Sequence, residues 1–339
     1  MIPIAKSFVL LVVITAVAGR LTLLAQVAVQ ADSTGHPELV YVRYVNEFPS
    51  PDKEKGKKGI FGRIGNFMFG ARRAVLVKPV AVWATSPDKY WVIDQKSNTV
   101  ALINENKGTT LKPKGKLTAP PNSLVDLCLL PGKGLLVTDS RLNQIFLLSP
   151  DGKKVTLFNH SLHLNQPTGI AYMPDKQEVW VLETGAHRIA VLDKRGNLLK
   201  TIGLRGNKPA EFNFPTHIWI DREGLVYIVD SMNFRVQVFN SDGGWVAMFG
   251  QAGDASGYFA RPKGIATDSH SNIYVVDALF HTVQIFNRQG QLLYNFGHQG
   301  QKSGDFWLPG GIYIDNNDYI YIADSYNARV QVFQLINHQ

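Results

Sequence analysis

From about residue 79 onward the chain alternates short apolar runs with polar breaks. The runs are rich in β-branched and aromatic residues, as in Val226-Tyr227-Ile228-Val229-Asp230 and Ile273-Tyr274-Val275-Val276-Asp277, and they predict strands rather than helices. The breaks carry pairs such as Asp151-Gly152, Arg195-Gly196, Asp242-Gly243 and Gln289-Gly290, which supply the backbone of tight hairpins. The pattern predicts antiparallel hairpins throughout, with helix almost absent.

The runs recur. Phe214-Pro215-Thr216-His217-Ile218-Trp219-Ile220-Asp221, then Val226 to Asp230, then Asn233-Phe234-Arg235-Val236-Gln237-Val238-Phe239, is repeated from Pro262 and again from Pro309. Fainter copies start at Pro79, Pro121 and Pro167, and the six prolines lie 42, 46, 48, 47 and 47 residues apart. The last three copies are preceded by Gly203 and Gly206, Gly250 and Gly253, and Gly297 and Gly300, the first of each pair 12 residues before its proline. Each copy holds about four strands, and such a unit cannot bury both faces alone, so the copies must stack around an axis.

The runs PxGIAxD, IYVxD and NxRVQVF resemble the NHL-repeat family of six-bladed β-propellers. The resemblance covers most of the chain after residue 78, is sharpest in the last three copies, and implies a propeller of four-stranded antiparallel blades; with the N-terminal segment below, the chain is expected to be an exported, bacterial member. The sixth copy stops soon after its third strand, and an open edge invites aggregation. Leu39-Val40-Tyr41-Val42-Arg43-Tyr44-Val45 alternates as a strand should and is expected to close the ring at about 39–48.

Residues 1–31 begin with Lys6 and run apolar from Phe8 to Ala18, the form of an export signal. The segment is read as a cleaved signal peptide or, since Phe8 to Val29 is interrupted only at Arg20, as a retained membrane anchor. The rest is expected outside the cytoplasm, periplasmic or extracellular. Residues 32–77 hold the closing strand and an insertion at about 53–73, and 78–339 the propeller. In the insertion, lysines including Lys57 and Lys58 precede an apolar stripe of Phe61, Ile64, Phe67 and Met68. That stripe could pack on the propeller, touch an anionic membrane surface, or dock a protein partner.

Charge sharpens the address. Of the net +8, residues 51–73 carry +5 and 74–339 only +3, so nucleic acid is not the expected partner. Hydrophobic residues make up 45% and charged residues 18%, enough for a large core without disulfides. Cys128 is the only cysteine, in the apolar run Leu124 to Leu130, and reads as a buried, inert thiol.

Candidate chemistry is sparse. Asp94, Asp139, Glu183, Asp230, Asp277 and Asp324 end the second strand of each unit and are expected to accept backbone N–H groups, not to form a carboxylate ring. Arg188, Arg235 and Arg329 follow their acids by five residues, either bracing blades or binding an anion in the central cleft. His187 and His281 sit four residues after their acids, and His217 stands where Gly169, Gly264 and Gly311 stand in other copies, near the channel. These six are the candidate binding residues. Tyr90, Trp91, Phe259, Phe306 and Trp307 are candidate surface aromatics.

Within propellers of this kind, the peptidyl-α-hydroxyglycine lyases hold zinc with histidines from several blades; here only His217 lies at such a station, and one ligand does not make a zinc site. No nucleophile elbow, phosphate loop or nucleotide fingerprint is present. The expected function is non-catalytic recognition of a protein, peptide or glycan in the cell envelope through loops at one end of the ring, without a cofactor. The alternative is a lyase or hydrolase using a channel metal such as Zn or Ca.

Overall fold

Two consecutive apolar runs joined by a tight turn become a hairpin, and two hairpins become a blade. The structure is a computed structural model that describes residues 13–17, 20–26, 40–48 and 76–337, except 116, 118 and 161. Blade one comprises Pro79–Ser86, Lys89–Asp94, Thr99–Asn104 and Lys107–Thr110; blade two Leu124–Leu130, Gly134–Asp139, Gln144–Leu148 and Val155–Leu157. Blade three is Pro167–Met173, Glu178–Glu183, Arg188–Leu192 and Leu198–Ile202; blade four Pro215–Ile220, Val226–Asp230, Arg235–Phe239 and Trp245–Phe249. Blade five runs Pro262–Thr267, Ile273–Asp277, Thr282–Phe286 and Leu292–Phe296, and blade six begins Ile312–Ile314, Tyr319–Asp324 and Arg329–Asn337. Every pairing inside a blade is antiparallel, and the described helix amounts to three short 3-10 turns.

The fourth strand of blade six is Val40–Phe48, paired antiparallel to Arg329–Asn337 from Val330↔Phe48 to Asn337↔Val40. The ring closes with the strand expected to close it. Val13–Val17 and Arg20–Gln26 form a hairpin that continues this sheet outward. The remainder of the export segment 1–31, and the whole insertion with Lys57, Lys58, Phe61, Ile64, Phe67 and Met68, lie outside the described residues. Among the described residues no helix is long and apolar enough to cross a membrane.

Second strands are covered by a neighbouring blade on each side, which is why they read as unbroken apolar runs. Val226–Asp230 and Ile273–Asp277 are buried at every position. The core therefore lies between blades: Tyr274 and Val276 of blade five pack with Ile320, Ile322 and Phe333 of blade six, and Tyr321 and Val332 of blade six with Tyr90 and Val92 of blade one. Of the aromatics expected at the surface, Tyr90, Phe259 and Phe306 are instead buried, Trp91 is half-buried and Trp307 is exposed. Phe259 and Phe306 fill the space over Gly250 and Gly297, whose φ of 90° and 85° and lack of a Cβ let the ring lie against the backbone.

The NxRVQVF motif ties these glycine loops down. Arg235 Nη2 donates to the carbonyls of Lys208 and Glu211, and Nη1 to Asn207, while Asn233 reaches Gly206 and Gln237 reaches Glu211. Arg329, Asn327 and Gln331 repeat the same bonds on the loop at 300–305. The blade acids serve as expected: Asp139 accepts N–H bonds from Asn122, Ser123, Arg141 and Leu142. One residue further on, hydroxyls cross to the next blade, Thr184 to the Pro215 carbonyl and Ser325 to that of Pro79, the latter across the closure.

One register differs from the sequence reading. Leu124, not Pro121, pairs with the blade acid Asp139, as Pro79, Pro215 and Pro262 pair with theirs. Blade two lacks the proline at this station, and Pro121 lies in the loop before it.

Candidate functional site

The inner strands surround a channel, and their third residues stand at one level. In chain order these are Ala81, Asp126, Gly169, His217, Gly264 and Gly311, each at or beside a bulge in its strand pairing in blades one to five. A bulge leaves an N–H without a ladder partner. Asp126 Oδ2 accepts that of Ile170 in blade three at 3.1 Å, and His217 Nδ1 accepts that of Ile265 in blade five at 3.3 Å. The two polar residues thus do the same task two blades apart, on either side of Gly169 of blade three, where a Cβ would strike the backbone of His217 and Ile218.

With Nδ1 occupied as acceptor, the neutral His217 ring carries its proton on Nε2, which lies 3.9 Å from Asp126 Oδ2, too far for a hydrogen bond. Burial disfavours charge on both. It pushes the Asp126 carboxyl up to about 7 and the His217 ring down to about 4.

This pair divides the channel. On one side is a cavity of about 400 Å³ lined by Trp83, Tyr172, Trp219 and Tyr313, with Trp219 Nε1 donating to Thr267 Oγ1 at 2.8 Å. On the other is a mouth of about 300 Å³ where the inner strands begin, lined by Lys78, Arg261, Lys263, Thr168, Thr216 and Tyr326. Lys263 takes the second inner-strand position, filled elsewhere by Val80, Val125, Thr168, Thr216 and Gly310. Burial, then the nearby positive charges of Arg261 and Lys78, lower its pKa. The loops of this end expose Val77, Phe214, Met232, Leu279, Trp307 and Tyr326 around the mouth.

Of the residues expected to bind, the structure brings His217 into the channel and holds the other five outside it. Arg235 and Arg329 turn into the glycine loops, and Arg188 pairs with Glu183 at 2.6 Å. His187 and His281 adopt φ of 55° and accept the N–H of Phe214 and Leu308 in the following blade's loop. Asn143 makes the same bond to Gln166, so these histidines staple blades. Burial lowers the pKa of both. The buried Cys128 thiol lines the aromatic cavity, and burial raises its pKa well above normal. Among the described residues no group of three or more His, Cys, Asp and Glu is arranged to hold a metal ion.

Asp126 escapes a sequence reading that starts blade two at Pro121, because Leu124 holds the proline's station there. Aligned on the acid Asp139 it falls at the station of His217. Lys263 carried a weaker signal, as a basic residue where other blades have small or neutral ones.

Comparison with known proteins agrees with this architecture. Residues 306–333 match the NHL repeat model, and 159–247 match that of a six-bladed β-propeller family. The NHL repeat-containing protein 3 of Mus musculus is 25% identical over 97 residues, covering 26% of this chain and 28% of that protein, so the chain spans little more than a quarter of that relative. Virginiamycin B lyase from Staphylococcus aureus superposes with a TM-score of 0.57 at 16% identity, over 78% of this chain and 99% of that one. An auxiliary nutrient binding protein from Bacteroides thetaiotaomicron superposes with a TM-score of 0.61 at 13% identity, over 93% of this chain and 83% of that one. At such identities the likeness is one of fold. The chain is a six-bladed β-propeller whose residues 306–333 match the NHL repeat.

Proposed function

We propose that this propeller is a non-catalytic recognition module that takes a protein, peptide or glycan partner on its mouth end. One observation carries the reading: a basic cavity is ringed by six large apolar side chains left in water on a single end of the ring. Scattered exposed apolar residues are ordinary, but a cluster around a concave site marks a contact surface. Loops are also where a rigid scaffold carries its binding residues. The export reading of residues 1–31 puts this end outside the cytoplasm, facing envelope partners, with the basic insertion available to an anionic membrane surface.

The test is capture of partners from an envelope fraction by the full chain and by a Met232→Ser, Leu279→Ser, Trp307→Ser variant. The variant is expected to keep its melting temperature and lose its partner. Equal capture by both proteins, or by neither, overturns the reading.

The Asp126 and His217 pair favours a second reading, channel chemistry as a lyase or hydrolase. It predicts Zn or Ca retained on purification and lost in His217→Ala; elemental analysis finding neither metal ends the metal-dependent form.

A further inference from the structure

We infer that the mouth is a receptor for a carboxylate of an acidic peptide segment whose neighbouring residues are apolar. This rests on the recognition reading and supplies the chemistry of its ligand.

Lys78, Arg261 and Lys263 line one cavity, and none of them forms an ion pair among the described residues. The one carboxylate among the cavity's lining residues is Asp126, on its floor, where burial favours the protonated form. Three like charges converging on a partly desolvated space repel one another, and the repulsion is relieved when an anion enters. Among the described residues no other carboxylate lining the cavity supplies the balance.

The rim identifies the class of anion. Tyr326 both lines the cavity and lies 6.2 Å from Trp307, ring to ring, while Lys78 Nζ sits 5.9 Å over the Tyr326 ring. The aromatic surface thus continues directly from the cationic one. A free phosphate or a sulfated glycan would satisfy the cations and leave Phe214, Met232, Leu279 and Trp307 in water. An aspartate, a glutamate or a terminal carboxylate flanked by apolar side chains uses both surfaces. A volume of about 300 Å³ admits one such side chain and its near neighbours, not a folded domain.

The probe is a random heptapeptide display library panned on the full chain, on Lys263→Met, and on a Lys78→Met, Arg261→Gln double variant, each first checked for an unchanged melting temperature. Wild type should enrich Asp or Glu beside Leu, Phe, Tyr or Trp. A synthetic winner should bind at least tenfold more weakly when its acid is amidated, and at least tenfold more weakly to Lys263→Met or, should that variant not fold, to the double variant. Inorganic phosphate and heparin are titrated in parallel. No enrichment, enrichment without acids, or Lys263-dependent binding of phosphate or heparin alone overturns the inference. Envelope capture that depends on Met232, Leu279 and Trp307 but is indifferent to Lys263 overturns it too, while leaving the recognition reading standing.

Discussion

Arg329 Nη1 lies 2.9 Å from Glu47 Oε2, joining residues 282 positions apart and clamping the closing strand to the blade it completes. Nε of the same guanidinium bonds Asp324 at 2.8 Å, and its other donors take the Gln301, Lys302 and Asp305 carbonyls. Both carboxylates are buried, and burial raises the Glu47 pKa against the opposing pull of Arg329. Removing a partner from a buried pair strands the remaining charge, at about 3 kcal/mol or more. Arg329→Met should therefore lower the denaturation midpoint further than Arg235→Met, which strands Asp230 but no closing-strand carboxylate. Calorimetry on both variants measures the difference.

Deleting residues 36–48 removes Val42 and Phe48 from the core and uncovers Phe333, Val330 and Val332. At about 2 kcal/mol for each fully buried side chain, plus smaller shares from Tyr44 and Val45, the loss is about 5 kcal/mol. A clear fall in melting temperature is expected, with new binding of a hydrophobic dye at the exposed edge.

Asp126 and His217 give opposite pH dependences. The His217 ring stays neutral in the fold down to about 4, whereas the unfolded chain takes up its proton near 6.5, so this group lowers stability as pH falls from 6.5 to 4. The Asp126 carboxyl stays protonated up to about 7 but ionises near 3.8 when unfolded, so it lowers stability as pH rises between those values. Asp126→Asn gives up one of the two N–H bonds that the carboxyl oxygens accept and should be less stable than wild type near pH 4, but it should not show the further loss, on the order of 4 kcal/mol, that wild type shows as pH rises to 8. His217→Asn, whose amide oxygen can replace Nδ1 toward Ile265, should instead flatten the acid side of the profile. Urea midpoints across pH 4 to 8 read both slopes.

The residue four after each blade acid is left-handed in every blade: Asn98, Asn143, His187, Phe234, His281 and Ala328 have φ between 52° and 58°. Alanine gains nothing there and bears the steric cost of its Cβ. Ala328→Gly should stabilise by about 0.5 to 1 kcal/mol. Asn143→Gly relieves the same strain but gives up the 2.8 Å bond to the Gln166 N–H, so its melting temperature should not rise.

The ring was legible because its strands repeat at a near-constant interval, and because an unbroken apolar run such as Ile320-Tyr321-Ile322-Ala323 has one stable home, between two other sheets. The closing strand was legible from a deficit, a sixth unit one strand short. Blade two was misaligned because proline marked the inner strand in every other unit and only Asp139 keeps the true register there. The mouth was less legible still. Lys78, Arg261 and Lys263 are ordinary lysines and arginines along the chain, and they meet only because blades five and one flank blade six at the mouth. The histidines at 187 and 281 looked chemical because the left-handed demand of their position leaves no trace in composition.

The Asn-Arg-Gln clasp has an uneven distribution with a mechanical consequence. Blades four and six hold it whole, blade five keeps only Gln284, bonded to Gly257 and Tyr258, and at the Arg and Gln stations blade one has Thr99 and Ala101 and blade two Gln144 and Phe146. A closed hoop has no loose end from which to fray, so it must part first at a seam, and among the described residues the seam least bolted joins blades one and two. Amide exchange should begin there and spread both ways around the wheel, reaching the clamped arc of blades four to six last.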